Sequence, residues 1–344
     1  MVDPQPASDV GIAYHHRMLY WVRKAAPMLK LTRVTTGFGA VGNLWFVILW
    51  SRTTPGEHLP TFLSEEPLWV ALTGGLLVGL GLYSFGAALN DLLDIHKDRA
   101  LGTPGHPIVD GSASLELAVC AVAGALMLAV LGATFFGTGA ILLTLVLAVA
   151  ILIFNALGKY VPGMGMVLLS LIYAGHMLIP NVWMRFMLPV WLVMTHAMVV
   201  LALAQYLGRR SPPISRRAAI FAGVGWGTGS LMLLALAWDR RGTDGLWPNA
   251  VPMTALIYPA ICVILFAIFI YRKTKRHGTG PKLGERITRY GAIWPTLYGV
   301  GWLLGAGHQR AALLMVGLSG LGFLSMTVLR EFYALIDEPV GYRL

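Results

Sequence analysis

The sequence predicts an all-α protein that crosses a membrane with about nine or ten helices, and three observations support this fold class. Hydrophobic residues make up 56% of the 344-residue chain and charged residues only 12%, whereas about a quarter of the residues in ordinary soluble domains are charged. The apolar residues form blocks of about twenty, the length at which a helix crosses a bilayer. Basic residues fall mainly in alternate connections between these blocks.

Ten apolar segments are predicted as membrane spans, and no polar stretch is long enough to enclose a core of its own. Residues 1–30 are expected to form a cytoplasmic N-terminal segment, residues 31–330 the helical bundle and residues 331–344 a short tail. A count of nine stays open, with 311–329 as the ninth span and one earlier segment re-entrant. The predicted spans are 31–50, 67–88, 115–133, 138–157, 164–180, 187–206, 217–237, 252–271, 288–306 and 311–329.

The distribution of basic residues orients this bundle. With the N-terminus in the cytoplasm, the inner connections collect most arginines and lysines, including a cluster at 272–289. Because basic loops are retained on the cytoplasmic side, the net charge of +10 is mostly topological, and nucleic acid is not expected as a partner. We expect a protein of a bacterial-type inner (plasma) membrane, in contact with lipid, with its active site on the cytoplasmic side. The outer connections hold only Arg52, Arg185, Arg240, Arg241 and Arg310.

An acidic stretch, "NDLLDIHKDR" at residues 90–99, follows the second apolar block. If the helix continues through residue 98, Asn90, Asp91, Asp94 and Asp98 share an arc of about 100°. Neighbouring carboxylates repel one another, and the C-terminal end of a helix favours cations. A hard divalent cation with oxygen ligands relieves both effects.

Magnesium often shares its coordination with substrate phosphates, so this stretch favours a lipid or prenyl diphosphate held at the cytoplasmic rim. The glycine-rich run that precedes it is typical of a helix packed inside a bundle. The alternative is a solvated helix end in which Lys97 and Arg99 pair with the acids.

Two stretches of the chain resemble the UbiA superfamily of intramembrane prenyltransferases. "FNALGKYVPGMGMVLLSLIYAG", residues 154–175, is similar to the aromatic-Asn-x-x-x-Lys element after that family's fourth span, with Lys159 as the lysine. Arg33 resembles a basic residue often found at the start of the first span. "NDLLDIHKDRALGTPGHPIVDG" resembles the first aspartate motif, although His106 stands where the family usually has arginine. The matching residues of this motif are Asn90, Asp91, Asp94, Asp98, Pro107, Ile108 and Gly111.

This resemblance implies a helical bundle around a central cavity and an enzyme that moves a prenyl group from a prenyl diphosphate to an aromatic or other lipophilic acceptor. Magnesium is the implied cofactor, with Asp91, Asp94 and Asp98 as its ligands. Asp91, Asp94 and Lys159 are expected to be catalytic. Substrate binding is expected from Asn90, Asp98, Arg99, Arg209 and Arg33. A carbocation needs a dry chamber with aromatic walls, for which the candidates are Trp45, Phe46, Tyr83, Phe85, Phe154 and Tyr173.

The family's second aspartate motif, D-x-x-x-D after the sixth span, is missing. The corresponding stretch, "LALAQYLGRRSPPIS" at 201–215, contains no acid, and Gln205 and Arg209 stand near the expected aspartates. Three interpretations stay open. In the first, one magnesium remains and Arg209 or Arg210 binds the diphosphate directly, because an arginine fork suits phosphate oxygens. In the second, the chain binds a prenyl lipid without turning it over. In the third, the substrate and the reaction have diverged.

Two other classes of membrane protein fit less well. Lipid phosphoalcohol transferases need a glycine after the second aspartate of their motif, where this chain has Ile95. A transporter would place ionisable groups near mid-membrane, often in repeated halves, and would depend on His176, Thr195 or His196. The acidic motif does not recur along the sequence.

Overall fold

The structure, a computed structural model, describes residues 26–101, 107–241 and 245–337. These ranges contain helices and turns and no strand, which confirms the all-α prediction. The longer helices are α1 (Phe38–Thr53), α2 (Leu68–Leu93), α3 (Leu115–Thr134), α4 (Thr138–Ala156), α5 (Pro162–Leu178), α6 (Leu188–Leu207), α7 (Arg216–Arg241), α8 (Ile257–His277), α9 (Pro281–Ile293), α10 (Pro295–Gly305) and α11 (Gln309–Asp337). Residues 26–32 are also helical, and the shorter elements are Val34–Thr36, Thr61–Glu65, Ile95–Leu101, Gly158–Tyr160 and Met253–Leu256.

The predicted apolar segments coincide with these helices, with two corrections. The first helix begins at Phe38 rather than at residue 31, because Arg33 adopts a left-handed backbone conformation, φ 46°, that interrupts the helix. The predicted span 288–306 is divided into α9 and α10 at Pro295, whose ring removes a backbone donor from the helix.

By length and apolar composition, α2, α3, α4, α6, α7 and the segment Met253–His277 can cross a membrane. Helix α5 and the part of α11 at Gln309–Ser325 are apolar but shorter. The chain is therefore a polytopic membrane bundle, and its count of nine or ten spans is approximate.

Helix α2 is held tightly between its neighbours by glycine contacts. A Cβ atom on Gly81 would lie 2.5 Å from the backbone nitrogen of Ala129 in α3, and one on Gly79 would lie 2.8 Å from the Cα of Val41 in α1. Such distances are possible only for glycine, which allows helices to approach closely. The packing fixes α2 along its length and so positions the polar residues at its C-terminal end.

An aromatic cluster fills the opposite end of the bundle. Helix α1 runs from the polar end of α2 to Thr53, and near its end the fully buried Trp50 stacks on Phe186, with ring centroids 5.3 Å apart. The Phe186 ring also meets the edge of Trp302 at 5.3 Å. These rings close the bundle at the end away from "NDLLDIHKDR".

Candidate active site

The predicted central cavity lies inside the bundle and has a volume of about 1660 Å³. Its two ends differ in chemistry. Charged side chains line the end near residue 90, whereas the interior is mainly apolar. Among the apolar residues on its wall are Leu82, Ile151, Met166, Leu169, Ile172 and Leu201.

The C-terminal end of α2 brings only part of the first motif to this cavity. Asn90 and Asp91 line the wall, whereas Asp94 and Asp98 are buried outside it, each 9% exposed. The prediction of a continuous helix through residue 98 is wrong, because α2 ends at Leu93 and a short helix resumes at Ile95. Asp94, with φ −88° and ψ 1°, lies at this break.

Asp91 is paired with a basic residue from the start of the bundle. The Arg33 Nη2 atom donates a hydrogen bond of 2.6 Å to Asp91 Oδ1, and the Asp91 side chain is 4% exposed against 45% for Arg33. A buried carboxylate is stable only when it is paired. The predicted substrate residue Arg33 therefore lies at the site, with Asp91 as its partner.

Lys159 connects two residues of the first motif. Its Nζ atom donates to Asp94 Oδ2 at 2.6 Å and to Asn90 Oδ1 at 2.9 Å. Asn155 explains how Lys159 reaches them, because its Nδ2 atom donates to the carbonyl of Gly86 at 3.3 Å and so joins the end of α4 to α2. The asparagine of the second stretch thus positions the lysine four residues later.

Tyr160 completes this contact and was missed by the sequence analysis, although it directly follows Lys159. Its hydroxyl donates to Asp94 Oδ1 at 2.6 Å. Burial raises the pKa of Asp94, but the hydrogen bonds from Lys159 and Tyr160 outweigh it and hold the pKa below its usual value of 3.8. The hydrogen bond to Asp94 raises the pKa of Tyr160 to about 12. Asp94 therefore stays ionised at neutral pH and anchors both side chains.

The fit of this site to magnesium is partial. Asn90 and Asp91 offer oxygen donors of the type that Mg²⁺ prefers, and both lie on the cavity wall. However, nowhere in the described part of the chain do three His, Cys, Asp or Glu side chains form a group suited to a metal ion. Asn90 and Asp91 are the residues that would hold one Mg²⁺. Metal ligation by Asp94 and Asp98 stays a prediction.

The loop after α6 places a second basic group on the cavity wall. Arg209 and Arg210 both line the cavity, and Arg209 has a left-handed backbone, φ 51°. Gln205 shapes this loop, since its Nε2 atom donates to the Pro212 carbonyl at 2.6 Å. Burial lowers the pKa of Arg210 and the Glu285 carboxylate opposes that shift, so Arg210 stays a cation.

The charged end of the cavity is predominantly basic, and we call its basic side chains the cationic rim. Arg289, which pairs with Glu285, and Lys30 were missed as site residues because the sequence analysis assigned them to the topological charge. Arg99 is exposed and is not on the cavity wall, and His106 lies outside the described residues. Within the described ranges, the acidic residues that line the cavity are Asp91 and Glu285. The cationic rim consists of Lys30, Arg33, Lys159, Arg209, Arg210 and Arg289.

Three of the six predicted aromatic wall residues line the cavity, namely Tyr83, Phe154 and Tyr173. The Tyr83 hydroxyl hydrogen-bonds Thr36 Oγ1 at 2.7 Å. The predictions for the other three are wrong, because they pack within the core between helices. These are Trp45, Phe46 and Phe85.

The residues named for a transporter serve different roles. His196 contacts the carbonyl of Gly291 at 2.9 Å and the hydroxyl of Tyr298 at 2.9 Å, and Thr195 accepts a hydrogen bond from Trp226 at 2.9 Å. His176 lines the cavity at 7% exposure, and its Nε2 atom has no hydrogen-bond partner within the described residues. Two of the three residues thus make ordinary contacts between helices.

The chain is similar in structure to a digeranylgeranylglyceryl phosphate synthase. The two share 18% identity and superpose with a TM-score of 0.52 over 82% of this chain and 98% of the synthase. A UbiA homolog from Aeropyrum pernix K1 is 18% identical over 79% and 97% of the two chains, with a TM-score of 0.48. A UbiA homolog from Archaeoglobus fulgidus bound to GPP and Mg²⁺ is 15% identical over 88% and 99%, with a TM-score of 0.43.

No family model and no curated protein matches the chain. At 18% identity, the similarity to the synthase concerns the fold, and it extends over most of both chains. The chain therefore has the polytopic helical fold of this synthase over most of its length.

Proposed function

We propose that this protein is an intramembrane prenyltransferase that moves a prenyl group from a prenyl diphosphate to an aromatic or other lipophilic acceptor. The observation that carries the proposal is one cavity of about 1660 Å³ with a cationic rim at one end and an apolar, partly aromatic interior. A prenyl diphosphate has the same two-part chemistry, a polyanion joined to a hydrocarbon tail. The UbiA-type fold of the chain agrees with this substrate class.

The residues of the cavity suit the steps of such a transfer. Lys159 and Arg209 would hold the diphosphate, and one Mg²⁺ at Asn90 and Asp91 would neutralise part of the charge that develops on it. When the allylic carbon–oxygen bond breaks, the electron pair leaves with the diphosphate, and fixed cations stabilise that anion. The carbocation remains in the apolar part of the cavity beside Tyr83, whose ring face stabilises a cation. The acceptor then bonds to the carbon, and its proton passes to the released diphosphate.

A second candidate function is binding of a prenyl lipid without turnover. It is favoured by the first motif itself, because Asp94 is engaged by Lys159 and Tyr160 and does not line the cavity. The missing second aspartate motif points the same way. Under this alternative the cavity holds the diphosphate, but no bond is broken.

The two functions are separated by measuring the release of diphosphate from labelled prenyl diphosphates of several chain lengths. The purified protein is incubated with Mg²⁺, in the presence and in the absence of lipophilic acceptors. We expect diphosphate release by the unmodified protein. Lys159→Met should lower the rate by about 100-fold, because it removes a cation next to the leaving anion. Asp91→Asn should lower it by a similar factor, because it removes the carboxylate that would hold Mg²⁺. Glu65→Gln, at an exposed position outside the cavity, is the control and should leave the rate unchanged.

Full turnover in both site variants would contradict the proposed site. Binding of a prenyl diphosphate without release at any chain length would instead identify a lipid-binding protein. Absence of both binding and release would reject both functions.

A further inference from the structure

We infer that the arginine loop after α6 takes the place of the second metal ion that the missing aspartate motif would bind, so that the cavity can hold a diphosphate even when Mg²⁺ is absent. This inference rests on the proposed function only in taking a diphosphate as the ligand. It concerns how the anion is held and not whether a bond is broken. The residues that carry it are Gln205, Arg209 and Arg210.

Gln205 stands where the resemblance expects the first aspartate of the second motif, and its contacts serve the loop. Its Nε2 atom donates to the carbonyls of Pro212 and Arg210, at 2.6 and 3.4 Å. The backbone nitrogen of Arg210 in turn donates to the Gln205 carbonyl at 3.1 Å. An aspartate could not make these side-chain bonds, because an ionised carboxylate has no donor. Gln205 therefore supports the arginine loop.

The same loop is fixed from the other side by α9. A Cβ atom on Gly284 would lie 2.9 Å from the Cα of Gly208 and 2.9 Å from the carbonyl of Ala204. The backbone nitrogen of Gly280 also donates to the Leu207 carbonyl at 2.8 Å. These contacts hold the backbone immediately before Arg209, so its guanidinium is presented from a rigid support.

Arg209 and Arg210 are engaged differently. Arg210 is partly buried, and its Nη2 atom donates to Thr288 Oγ1 at 3.4 Å. Arg209 is exposed where it lines the cavity, and its side chain forms no hydrogen bond or ion pair with any described residue. A left-handed backbone is strained at a residue other than glycine, and the surrounding contacts must offset that strain. The arrangement thus presents a guanidinium to the cavity, where it can bind a ligand.

The charge of the cavity supports an anionic ligand at this position. The cationic rim contributes six basic side chains to the described part of the wall. Three of them are paired with carboxylates, namely Arg33 with Asp91, Lys159 with Asp94 and Arg289 with Glu285, whereas Arg209 has no such partner within the described residues. Several cations in one cavity repel one another until an anion binds among them. Arginine contacts phosphate oxygens through two parallel hydrogen bonds, and its charge does not depend on a metal. The rim therefore supplies the positive charge that a second Mg²⁺ would otherwise bring.

The inference is tested by calorimetry with the purified full chain and a non-hydrolysable geranyl thiolodiphosphate. The dissociation constant is measured once in EDTA and once in Mg²⁺. The dissociation constant in EDTA should lie within about tenfold of that in Mg²⁺, since most of the positive charge is part of the protein. Arg209→Gln should raise the dissociation constant in EDTA by about 10- to 100-fold, the effect of losing a charge-assisted hydrogen bond. Its guanidinium has no partner to lose within the described residues, so the fold should be retained.

Arg217→Gln is the matched control, because Arg217 is an exposed arginine at the start of α7 that does not line the cavity. It should bind like the unmodified protein. Binding that requires Mg²⁺ and disappears in EDTA would overturn the inference and leave the proposed transferase intact. If Arg209→Gln and Arg217→Gln weakened ligand binding equally, the inference would also be overturned, because the effect would then reflect the net charge of the protein and not a contact made by Arg209. Absence of binding in both conditions would reject the diphosphate ligand as well.

Discussion

Lys159 and Arg33 show how single residues organise the site. Each donates a hydrogen bond of 2.6 Å to an aspartate of the first motif, Lys159 to Asp94 and Arg33 to Asp91. The two carboxylates therefore anchor different cations instead of forming one cluster. Since breaking a buried ion pair leaves an uncompensated charge, Asp94 is a positioning residue for Lys159. Substitution of Asp94 should therefore disturb the position of Lys159 more directly than it disturbs the binding of any metal ion.

The stability contributed by Asp94 should depend on pH. Because its pKa lies below the usual 3.8 in the folded protein, the ionised form stabilises the fold at all pH values above about 3.8. This contribution should be lost progressively as the pH falls below that value. Thermal unfolding of the unmodified protein and of Asp94→Asn, from about pH 6 to pH 3, measures it. The unmodified protein should be more stable at pH 6, and the difference should shrink below pH 4.

Two parallel stability curves over that range would contradict an ionised, paired Asp94. Tyr160→Phe is a useful companion variant, because it removes one hydrogen bond to Asp94 and keeps the charge. It should show the same acid-dependent loss with a smaller amplitude.

Individual site residues could be predicted from the sequence where the residue type and its spacing matched a known motif. Asp91, Asn90 and Lys159 were found through the resemblance, and the structure brings them together at one end of the cavity. Tyr160 and Arg289 were not found, because their contacts depend on how loops and α9 fold over the bundle. No periodic pattern in the sequence reports such contacts.

At the scale of elements, close backbone contacts determine where charged groups lie. The loop after α6 and the helix α9 meet at Gly208 and Gly284, with no room for a side chain between them. The contact lies directly before Arg209, which lines the cavity. The geometry of the cationic rim therefore depends on two glycines that contact no ligand themselves.

Gly284→Ala should weaken diphosphate binding without removing any charge. The added methyl group would meet the carbonyl of Ala204 and the Cα of Gly208, both at 2.9 Å, so the loop must move. We expect the dissociation constant for inorganic pyrophosphate to rise by about tenfold and the unfolding temperature to fall, as overpacking usually destabilises. Gly223→Ala in α7, where nothing lies within 4 Å of the added atom, should leave the pyrophosphate affinity unchanged and should not lower the unfolding temperature, because alanine favours a helix more than glycine does.

Unchanged pyrophosphate affinity in Gly284→Ala would show that the rim does not depend on this contact. Equal effects in Gly284→Ala and Gly223→Ala would show a general response to alanine.

The helices themselves were largely predictable because the length of an apolar run decides whether it can cross a membrane. The exceptions were local backbone features. The left-handed Arg33 delayed the first helix, the break at Asp94 interrupted the second, and Pro295 divided the ninth predicted span. Each depends on the conformation of one residue, which an average over twenty apolar residues does not detect.

At the scale of the whole molecule, the bundle has two different ends. One end carries the cationic rim and opens into the cavity, and the other is closed by packed aromatic rings such as Trp50 and Phe186. Basic residues are concentrated at the first end, and on the positive-inside rule we propose that this end faces the cytoplasm. We therefore predict a cavity that takes its charged ligand from the cytoplasmic side and keeps the hydrocarbon tail within the membrane.

The proposed ligand position can be checked in an experimental structure of the protein with bound geranyl thiolodiphosphate. We expect the diphosphate between Asn90 and Asp91 on one side and Arg209 on the other, with the hydrocarbon tail beside Tyr83 and Phe154. A diphosphate bound elsewhere on the protein, or a cavity that holds only lipid tails in the presence of saturating ligand, would contradict it.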